Sequence, residues 1–440
     1  MSKQIARRDF LKTTAASSAA VAGASLAGQL SIAPRAHAAG QEVIKIALIG
    51  CGGRGTGAAT NALSVKPNIR LVAAADVFED RMESSLGRLK ESFPDRCDVP
   101  KERRFLGFDA YQKVLECDVD VVLLTTPPGF RPMQFEAAVE AGKHVFMEKP
   151  VAVDVPGVRR ILAAGQRAKQ KGLSVAVGFD FRHEPNHKEC VKMIQDGVLG
   201  EIHHMRALYN NAGVWVRPRQ SGQTEMQYQV RNWYYFNWLS GDHIVEQHVY
   251  TLETINWLKG EAHPVRANGM GGRQVRIGKD FGEIFDHHFN EFDYPDGSQL
   301  FSQCRQIPGC WDSGYTAYAC GTKGYAVMAN QWDCAIHLKG KDPIRWPKRS
   351  SGYQVEHDDL FASIIEGKPY NEAEFNATAT MTAILGRMAT YSGQVVTWED
   401  AFNSTLSLAP QRLAWDAEPP VKPGPDGLYP CAVPGVTKPF

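Results

Sequence analysis

A short apolar segment that ends in a glycine-rich turn constrains the fold of this chain more than any other feature. Ile44 to Ile49 is almost continuously apolar and is followed directly by Gly50-Cys51-Gly52-Gly53-Arg54-Gly55. A continuous apolar run predicts a strand that is buried on both faces of a parallel sheet. In this pattern Gly50 allows a tight turn, Gly52 lets the backbone approach a pyrophosphate, and Gly55 allows close packing of a helix. The segment therefore predicts the dinucleotide-binding turn of a Rossmann fold.

Strands and helices are predicted to alternate through residues 43–150. Further strands are predicted at residues 71–75, 119–125 and 144–147, with helices at 79–92 and 131–141. Alternation of this kind is typical of a doubly wound α/β domain with a parallel sheet. We therefore predict an NAD(P)-binding Rossmann domain over residues 43–150.

The residues around the turn favour NAD as the cofactor. The helix N-terminus after the turn presents free N–H groups to phosphates, so Gly53 and Arg54 join the glycines as candidates. Asp76 stands roughly 20 residues further on, where a carboxylate binds a ribose 2′-hydroxyl and repels a 2′-phosphate; the alternative is a helix N-cap. NADP stays open because Arg54 could hold a 2′-phosphate. Thr125 and Pro127 are expected to line the nicotinamide side.

Residues 1–38 have the pattern of a twin-arginine signal peptide. Arg7-Arg8-Asp9-Phe10-Leu11-Lys12 precedes a weakly apolar stretch and Ala36-His37-Ala38, an A-x-A cleavage site. The twin-arginine route carries folded proteins, and a cofactor enzyme folds around its cofactor before export. We therefore expect the twin-arginine export machinery as a partner and a periplasmic or other extracytoplasmic location.

Composition excludes several other partners. With 440 residues, a net charge of +1 and 43% hydrophobic residues, the chain has the length for two domains and no basic excess for nucleic acid. After the predicted cleavage site, no apolar stretch is long enough to span a membrane. The nine cysteines show no zinc-ligand spacing. The sequence does not decide whether Cys304, Cys310, Cys320 and Cys334 form disulfides after export.

Gly142-Lys143-His144-Val145-Phe146-Met147-Glu148-Lys149-Pro150 resembles a motif of the Gfo/Idh/MocA oxidoreductases, a family that includes glucose–fructose oxidoreductase and inositol dehydrogenase. The resemblance extends over residues 43–398. It implies that Lys149 is catalytic, that Glu148 and Lys149 lie beside the cofactor, and that the substrate is a carbohydrate. Pro150 is a candidate for a cis peptide bond.

The same resemblance implies the rest of the architecture. Residues 151–400 are expected to form an α+β domain for substrate binding and oligomerisation, with an open, mostly antiparallel sheet whose far face makes a homodimer or homotetramer. Residues 401–440 are rich in proline and lack periodicity. They are predicted to be an extended arm that wraps a neighbour, or a partly disordered tail.

A second family motif is expected on a helix of the second domain. Relatives similar to inositol dehydrogenase have Asp-x-x-x-His there, and alignment on Asn256-Trp257-Leu258 places Glu246 and Tyr250 at those two positions. We expect Lys149 to act with Tyr250, whose pKa the lysine would lower, or with His248. Glu246 would orient one of these groups. His248 and Tyr250 are two residues apart and cannot share one helix face.

Several other side chains are candidates for contacting substrate: Arg182, His183, Trp233, Tyr234 and His357. The aromatic pair could grip a sugar ring or could belong to the core. His183-Glu184-Pro185-Asn186-His187 matches the zinc-protease pattern HExxH, but Pro185 would disrupt the helix which that motif needs. Pro185 fits better as the first residue of a new helix, so no metal site is predicted.

These features predict an exported NAD(P)-dependent oxidoreductase that acts on a CH–OH group of a sugar or polyol. Free NAD is scarce outside the cytoplasm, so we expect the cofactor to be tightly bound and recycled. An NAD-dependent glycosidase, which oxidises a hydroxyl transiently and eliminates the aglycone, needs the same machinery and remains an alternative. A carbohydrate sensor with a bound cofactor and no turnover is another.

Overall fold

The computed structural model describes residues 42–329, 333–347 and 351–440. The predicted signal peptide at residues 1–38 lies outside the described residues. Within the described ranges, no helix is both long and apolar enough to span a lipid bilayer.

A six-stranded parallel sheet forms the first domain. Its strands are β1 (Ile44–Ile49), β2 (Ile69–Asp76), β3 (Arg104–Leu106), β4 (Val121–Leu124), β5 (His144–Met147) and β6 (Val175–Val177). Its helices are α1 (Gly53–Val65), α2 (Glu79–Ser92), α3 (Ala110–Glu116), α4 (Arg131–Glu140) and α5 (Val155–Gln170). The strand order β3-β2-β1-β4-β5-β6 reverses direction between β1 and β4. Ligands bind at such a switch point, outside the carboxyl ends of the strands, and the predicted doubly wound fold is confirmed.

A nine-stranded sheet forms the second domain. Its strands are β7 (Ile202–Asn211), β8 (Arg266–Gly272), β9 (His287–Asp293), β10 (Gln299–Gln306), β11 (Gly314–Gly321), β12 (Gly324–Ala329), β13 (Asp333–Leu338), β14 (Ile344–Trp346) and β15 (Val396–Thr397). The order is β14-β13-β12-β11-β7-β10-β9-β8-β15, and only β7 and β10 pair in parallel. The predicted open, mostly antiparallel sheet is therefore confirmed.

The remaining helices position the candidate site. They are α6 (Pro185–Gln195), α7 (Glu225–Arg231), α8 (Asn237–Ser240), α9 (His243–Glu246), α10 (Val249–Leu258), α11 (Gly352–Ile365), α12 (Ala373–Ser392) and α13 (Trp398–Phe402). The motif predicted on one helix is divided, because Glu246 ends α9 and Tyr250 lies in α10. His357 lies inside α11.

The residues that match the HExxH pattern do not lie on one helix, and the cysteines do not form disulfides. Pro185 is the first residue of α6, and His183 lies in the preceding 3-10 turn. All nine cysteines are among the described residues, and all are free thiols.

Asp242, His243 and His288 lie close enough together to hold a metal. However, Asp242 already accepts hydrogen bonds from the backbone N–H of Phe285 and the hydroxyl of Tyr391.

The C-terminal arm packs on its own chain, which the sequence did not predict. The ring of Trp415 lies 5.4 Å from that of Phe78 and 4.6 Å from that of Phe108, both in the first domain. The hydroxyl of Thr224, which caps α7, donates a hydrogen bond to the carbonyl of Trp415. Trp415 therefore joins residues of both domains.

Replacing Trp415 by alanine is expected to lower the free energy of unfolding by about 2 kcal/mol, because two aromatic contacts and their buried area are lost. The comparison is Trp311→Ala, since Trp311 is 61% exposed and its loss should change stability by less than about 0.5 kcal/mol. Urea unfolding measures both. Equal stability of the two variants would contradict the anchoring role of the arm.

Candidate active site

The glycine turn is shaped as its sequence predicts. Gly50 has a φ of +98°, in the region that favours glycine. A Cβ on Gly55 would lie 2.0 Å from the carbonyl oxygen of Gly50, whereas a Cβ on Gly52 would meet nothing within 4 Å. Gly55 thus allows α1 to pack against the turn, and the backbone at Gly52 faces open space.

Gly55→Ala is expected to destabilise the protein by about 2 kcal/mol and to abolish nucleotide binding, because the new methyl group overlaps backbone atoms that cannot move separately. Gly87→Ala serves as the matched control. It lies in the interior of α2, where a Cβ meets nothing within 4 Å, and should be neutral or stabilising by up to about 1 kcal/mol. Thermal unfolding and nucleotide titration test both variants; normal nucleotide binding by Gly55→Ala would refute the role given to this turn.

A cavity of about 450 Å³ lies beside this turn; we call it the glycine-turn cavity. Its lining includes most of the predicted cofactor residues: Gly50, Gly52, Gly53, Arg54, Gly55, Asp76, Thr125 and Pro127. The open backbone at Gly52 and the free N-terminus of α1 suit a pyrophosphate. The residues present therefore fit a dinucleotide.

Asp76 occupies the position expected for a ribose contact. Its carboxylate accepts hydrogen bonds from the backbone N–H groups of Cys51 at 2.6 Å and Phe78 at 2.9 Å. Burial raises its pKa, against these hydrogen bonds. The N-cap of α2 is Phe78, so the alternative role of Asp76 as a helix cap is wrong. Each carboxylate oxygen can accept a further hydrogen bond.

Arg54 is held by carboxylates. Its guanidinium pairs with Glu148, which follows β5, and with Glu356 of α11 at 3.1 Å. Burial would lower the pKa of Arg54, but the two glutamates raise it. Two of the five N–H donors of Arg54 are engaged in this way. The side chain links the glycine turn to the Glu148-Lys149 segment.

A second cavity of about 480 Å³, the lysine cavity, shares Arg54, Thr125, Thr126 and Trp233 with the first. Lys149 lines it and donates hydrogen bonds to the carbonyl of Glu246 at 2.6 Å and to its Oε1 at 3.3 Å. Only 8% of Lys149 and 7% of Glu246 are exposed. The Lys149–Pro150 peptide bond is cis.

Glu246 carries a carboxylate oxygen that is available for chemistry. Oε2 is buried and has no hydrogen-bond partner among the described residues, while Oε1 faces Lys149. Burial raises the pKa of Glu246, and Lys149 lowers it in part. A carboxylate with a raised pKa is a stronger base at neutral pH than one in water.

Tyr250 lies beside Lys149 but not in the orientation expected. The Lys149 Nζ atom lies 4.7 Å from the centre of the phenol ring, so it faces the ring rather than the hydroxyl. The hydroxyl donates to the carbonyl of Gly178 at 3.4 Å. Burial raises the pKa of Tyr250, so the prediction that Lys149 lowers it is wrong.

His248 and His357 are core residues. The two ring nitrogens of His248 contact the hydroxyls of Ser302 and Thr251, and burial lowers its pKa to about 3. The ring of His357 lies 4.3 Å from that of Phe146, and burial lowers its pKa to about 3 as well. Neither lines either cavity. The predictions of a catalytic His248 and a substrate-binding His357 are therefore not supported.

Arg182 and His183 also lie away from both cavities. Arg182 pairs with Glu253 and Glu261. His183 contacts Asp359 at 2.8 Å, and although burial would lower its pKa, this carboxylate and that of Glu372 raise it to about 9. Both side chains form ion pairs within the protein, so their predicted contact with substrate is not supported.

The predicted aromatic pair separates into one cavity residue and one core residue. Trp233 lines both cavities, whereas the hydroxyl of Tyr234 is buried and accepts a hydrogen bond from Gln306. The sequence missed five further residues of the lysine cavity: Arg131, Phe181, Gln247, Tyr315 and Tyr353. Only Gln247, next to Glu246, had a local signal.

The fold and the two adjoining cavities define an NAD(P)-binding protein of the Rossmann type with a second, sheet-based domain. Residues 44–179 match the oxidoreductase family with an NAD-binding Rossmann fold, Gfo/Idh/MocA. The match runs from β1 to just beyond β6 and so covers the first domain.

Curated relatives include sugar and polyol enzymes. The chain is 25% identical to an inositol 2-dehydrogenase of Rhizobium meliloti over 326 residues, which are 73% of this chain and 87% of that one. It is 30% identical over 188 residues to a dTDP-3,4-didehydro-2,6-dideoxy-alpha-D-glucose 3-reductase of Actinomadura kijaniata, covering 42% and 50%. A glycosyl hydrolase family 109 protein of Shewanella baltica is 26% identical over 226 residues, covering 48% and 47%. The chain thus spans about half the length of the last two.

The whole fold resembles solved structures. The aldose-aldose oxidoreductase of Caulobacter crescentus superimposes with a TM-score of 0.64 and 20% identity, covering 81% of this chain and all of that one. At this identity the likeness shows a shared fold. It extends across both domains, because the alignment covers more than the Rossmann residues alone.

Proposed function

We propose that the protein is an exported NAD(P)-dependent oxidoreductase acting on a CH–OH group of a neutral sugar or polyol. The observation that carries the proposal is the Lys149–Glu246 pair, buried in a cavity that adjoins the glycine-turn cavity. A neutral substrate is favoured because the cationic groups are already engaged. Arg54 is paired with carboxylates, and Arg131 donates to the backbone carbonyls of Thr126 and Pro150.

Lys149 and Glu246 can have separate roles in the reaction, one stabilising charge and the other accepting a proton. A bound nicotinamide would accept the hydride from the carbinol carbon. The lysine ammonium has three N–H groups, and Lys149 uses two of them on Glu246. The third can stabilise negative charge that develops on the substrate oxygen. Oε2 of Glu246 accepts the hydroxyl proton as the C–H and O–H bonds break and the C=O bond forms.

The surrounding structure holds the pair in place. Asp242 caps α9 by accepting the N–H of His243, and Glu246 is the last residue of this helix. The position of the Glu246 carbonyl, which binds Lys149, is thereby fixed. Aromatic rings of Trp233, Tyr315 and Tyr353 line the same cavity and offer apolar faces to a sugar ring.

Export and cofactor retention complete the proposal. The twin-arginine pattern at residues 1–38 supports export of the folded protein. Free NAD(P) is scarce outside the cytoplasm, so a retained cofactor would be reoxidised in place by a second substrate. A homodimer or homotetramer remains a prediction from the family resemblance.

A second candidate function is an NAD-dependent glycosidase. It is favoured by the similarity to glycosyl hydrolase family 109 proteins, although that similarity covers 48% of this chain. A bound NAD would accept the hydride from a ring carbinol carbon, while the same pair of residues takes the hydroxyl proton. Loss of the neighbouring C–H proton and of the aglycone, addition of water to the C=C bond and return of the hydride would then give hydrolysis without net oxidation.

One experiment separates these functions. The purified protein is denatured, and the released nicotinamide is measured by mass and absorbance; the native protein is then tested with neutral sugars, polyols and aryl glycosides. Bound nucleotide that a free sugar reduces would support the oxidoreductase, and aglycone release without lasting reduction would support the glycosidase. Bound nucleotide with neither reaction would favour a sensor. Protein without nucleotide that needs added NAD(P) at every turnover would contradict retention.

A further inference from the structure

The glycine-turn cavity has a wall that comes from the second domain. Besides the Rossmann residues, it is lined by Trp215, Arg217, Val230, Arg231 and Trp233, which lie between β7 and α8. A nucleotide in this cavity would therefore contact both domains. None of these positions belongs to the dinucleotide fingerprint.

Three arginines of this cavity form a cationic cluster. Arg81, Arg217 and Arg231 also line a neighbouring recess of about 460 Å³. Arg231 pairs with Asp80 through two hydrogen bonds of 2.7 and 2.8 Å. Burial lowers the pKa of Arg217, and repulsion from Arg81 and Arg231 lowers it further. The carboxylate of Asp80 attracts both Arg217 and Arg81, but it is hydrogen-bonded to Arg231, and neither Arg81 nor Arg217 forms a salt bridge with a carboxylate among the described residues.

Unpaired cations at this place suit an anionic part of the nucleotide. Two neighbouring guanidinium groups repel each other. A phosphoryl group that contacts both of them would offset this repulsion, because it attracts each group. We propose that Arg217, together with Arg81, binds a phosphoryl group of the nucleotide from the side of the second domain. The proposal rests on the proposed function, in which this cavity holds NAD(P). The group is either the pyrophosphate, present in both nucleotides, or the 2′-phosphate, present only in NADP.

The position of Arg217 is set before any ligand arrives. Its backbone N–H donates to Oδ1 of Asn232 at 2.9 Å, and its guanidinium lies 4.9 Å from the ring centre of Trp215. The C-terminal arm is hydrogen-bonded to α7 and its N-cap, because Thr224 and Gln229 donate to the carbonyls of Trp415 and Val421. A binding group that is already ordered loses little side-chain entropy on binding.

The test is nucleotide binding by Arg217→Gln, measured by calorimetry on purified protein from which nucleotide has been removed. NAD+ and NADP+ are titrated separately. Loss of a charge-assisted hydrogen bond should weaken binding about tenfold. The matched control is Arg206→Gln, because Arg206 also lies over an aromatic ring, 5.1 Å from the centre of Tyr318, but on the nine-stranded sheet away from both cavities. Arg217→Lys keeps the charge and should recover part of the affinity.

Each outcome decides the proposal. Equal weakening for both nucleotides supports a contact to the pyrophosphate, and weakening for NADP+ alone supports a contact to the 2′-phosphate. Unchanged affinity for both nucleotides, in a variant whose thermal midpoint without nucleotide equals that of the parent, would overturn it. Failure of the parent protein to bind either nucleotide would instead refute the proposed function, so the two failures are distinguishable.

Discussion

Lys149→Met is expected to lower kcat about 10³-fold while leaving nucleotide binding within about threefold of the parent. Methionine keeps an unbranched apolar side chain at this position but removes the ammonium, which lies over the ring of Tyr250 and would stabilise the developing negative charge. A positioned charge or proton-transfer group contributes about 10² to 10⁴ to the rate. Steady-state kinetics and calorimetry on the same preparation measure the two effects.

The control for this variant is Lys143→Met. Lys143 lies six positions earlier, donates to the carbonyl of Val119 and lines neither cavity. It should retain kcat within about twofold. A Lys149→Met enzyme with more than about a tenth of the parent kcat would show that the lysine does not act on the reacting oxygen.

Glu246→Gln is expected to lower kcat about 10² to 10³-fold, because the amide cannot accept the proton from the substrate hydroxyl. The expected pH dependence follows from the raised pKa of this carboxyl group. In the parent, kcat is lost as the pH falls through that raised pKa, since the protonated acid is no longer a base. In the variant this acidic limb should be absent.

Glu246→Asp provides the conservative comparison. It keeps the carboxylate but shortens the side chain by one methylene, so partial activity and a retained acidic limb are expected. If Glu246→Gln kept the same acidic limb as the parent, another group would be the base. If both variants raised KM at unchanged kcat, Glu246 would bind substrate without taking part in proton transfer.

The sequence predicted those parts of the site that depend on local backbone rules. Gly50 and Gly55 are required by a positive φ and a close contact within the turn itself. Asp76 ends β2 at a fixed distance along the chain, and Glu148 and Lys149 follow β5 directly. The end of a parallel strand places Asp76, whereas Glu148 and Lys149 were identified through the resemblance to the Gfo/Idh/MocA motif.

The predictions failed where a side chain's role depends on its partners. Arg182 and His183 follow β6. Glu253, Glu261 and Asp359, which form ion pairs with them, come from distant segments. Ionisable side chains do not remain unpaired where carboxylates surround them, and no local pattern shows those carboxylates.

The break between α9 and α10 had a similar effect on the second motif. A continuous helix would place Glu246 and Tyr250 on one face, whereas the structure ends α9 at Glu246 and begins α10 at Val249. Both residues still reach the lysine cavity. The hydroxyl of Tyr250, however, points to the carbonyl of Gly178 rather than to Lys149.

The wall formed by Trp215, Arg217 and Trp233 had no signal in the sequence beyond an aromatic cluster near Trp233. The C-terminal arm contacts α7 near this wall, whereas its proline-rich composition suggested an arm that wraps a neighbour or a partly disordered tail. Trp415 instead packs against Phe78 and Phe108. The proline content of residues 401–440 predicts an extended conformation, but it does not predict which surface the arm packs against.

The most direct test of the account is whether a neutral sugar or polyol reduces the nicotinamide bound to the protein, and whether Lys149 is needed. Parent and Lys149→Met proteins with equal nucleotide content are mixed with the same substrates, and reduced nicotinamide is followed by absorbance. We predict reduction in the parent and at least about a 10³-fold slower reaction in the variant. Reduction at equal rates in both proteins, or none in a parent that holds oxidised nucleotide, would contradict the proposed hydride and proton transfer at the Lys149–Glu246 pair.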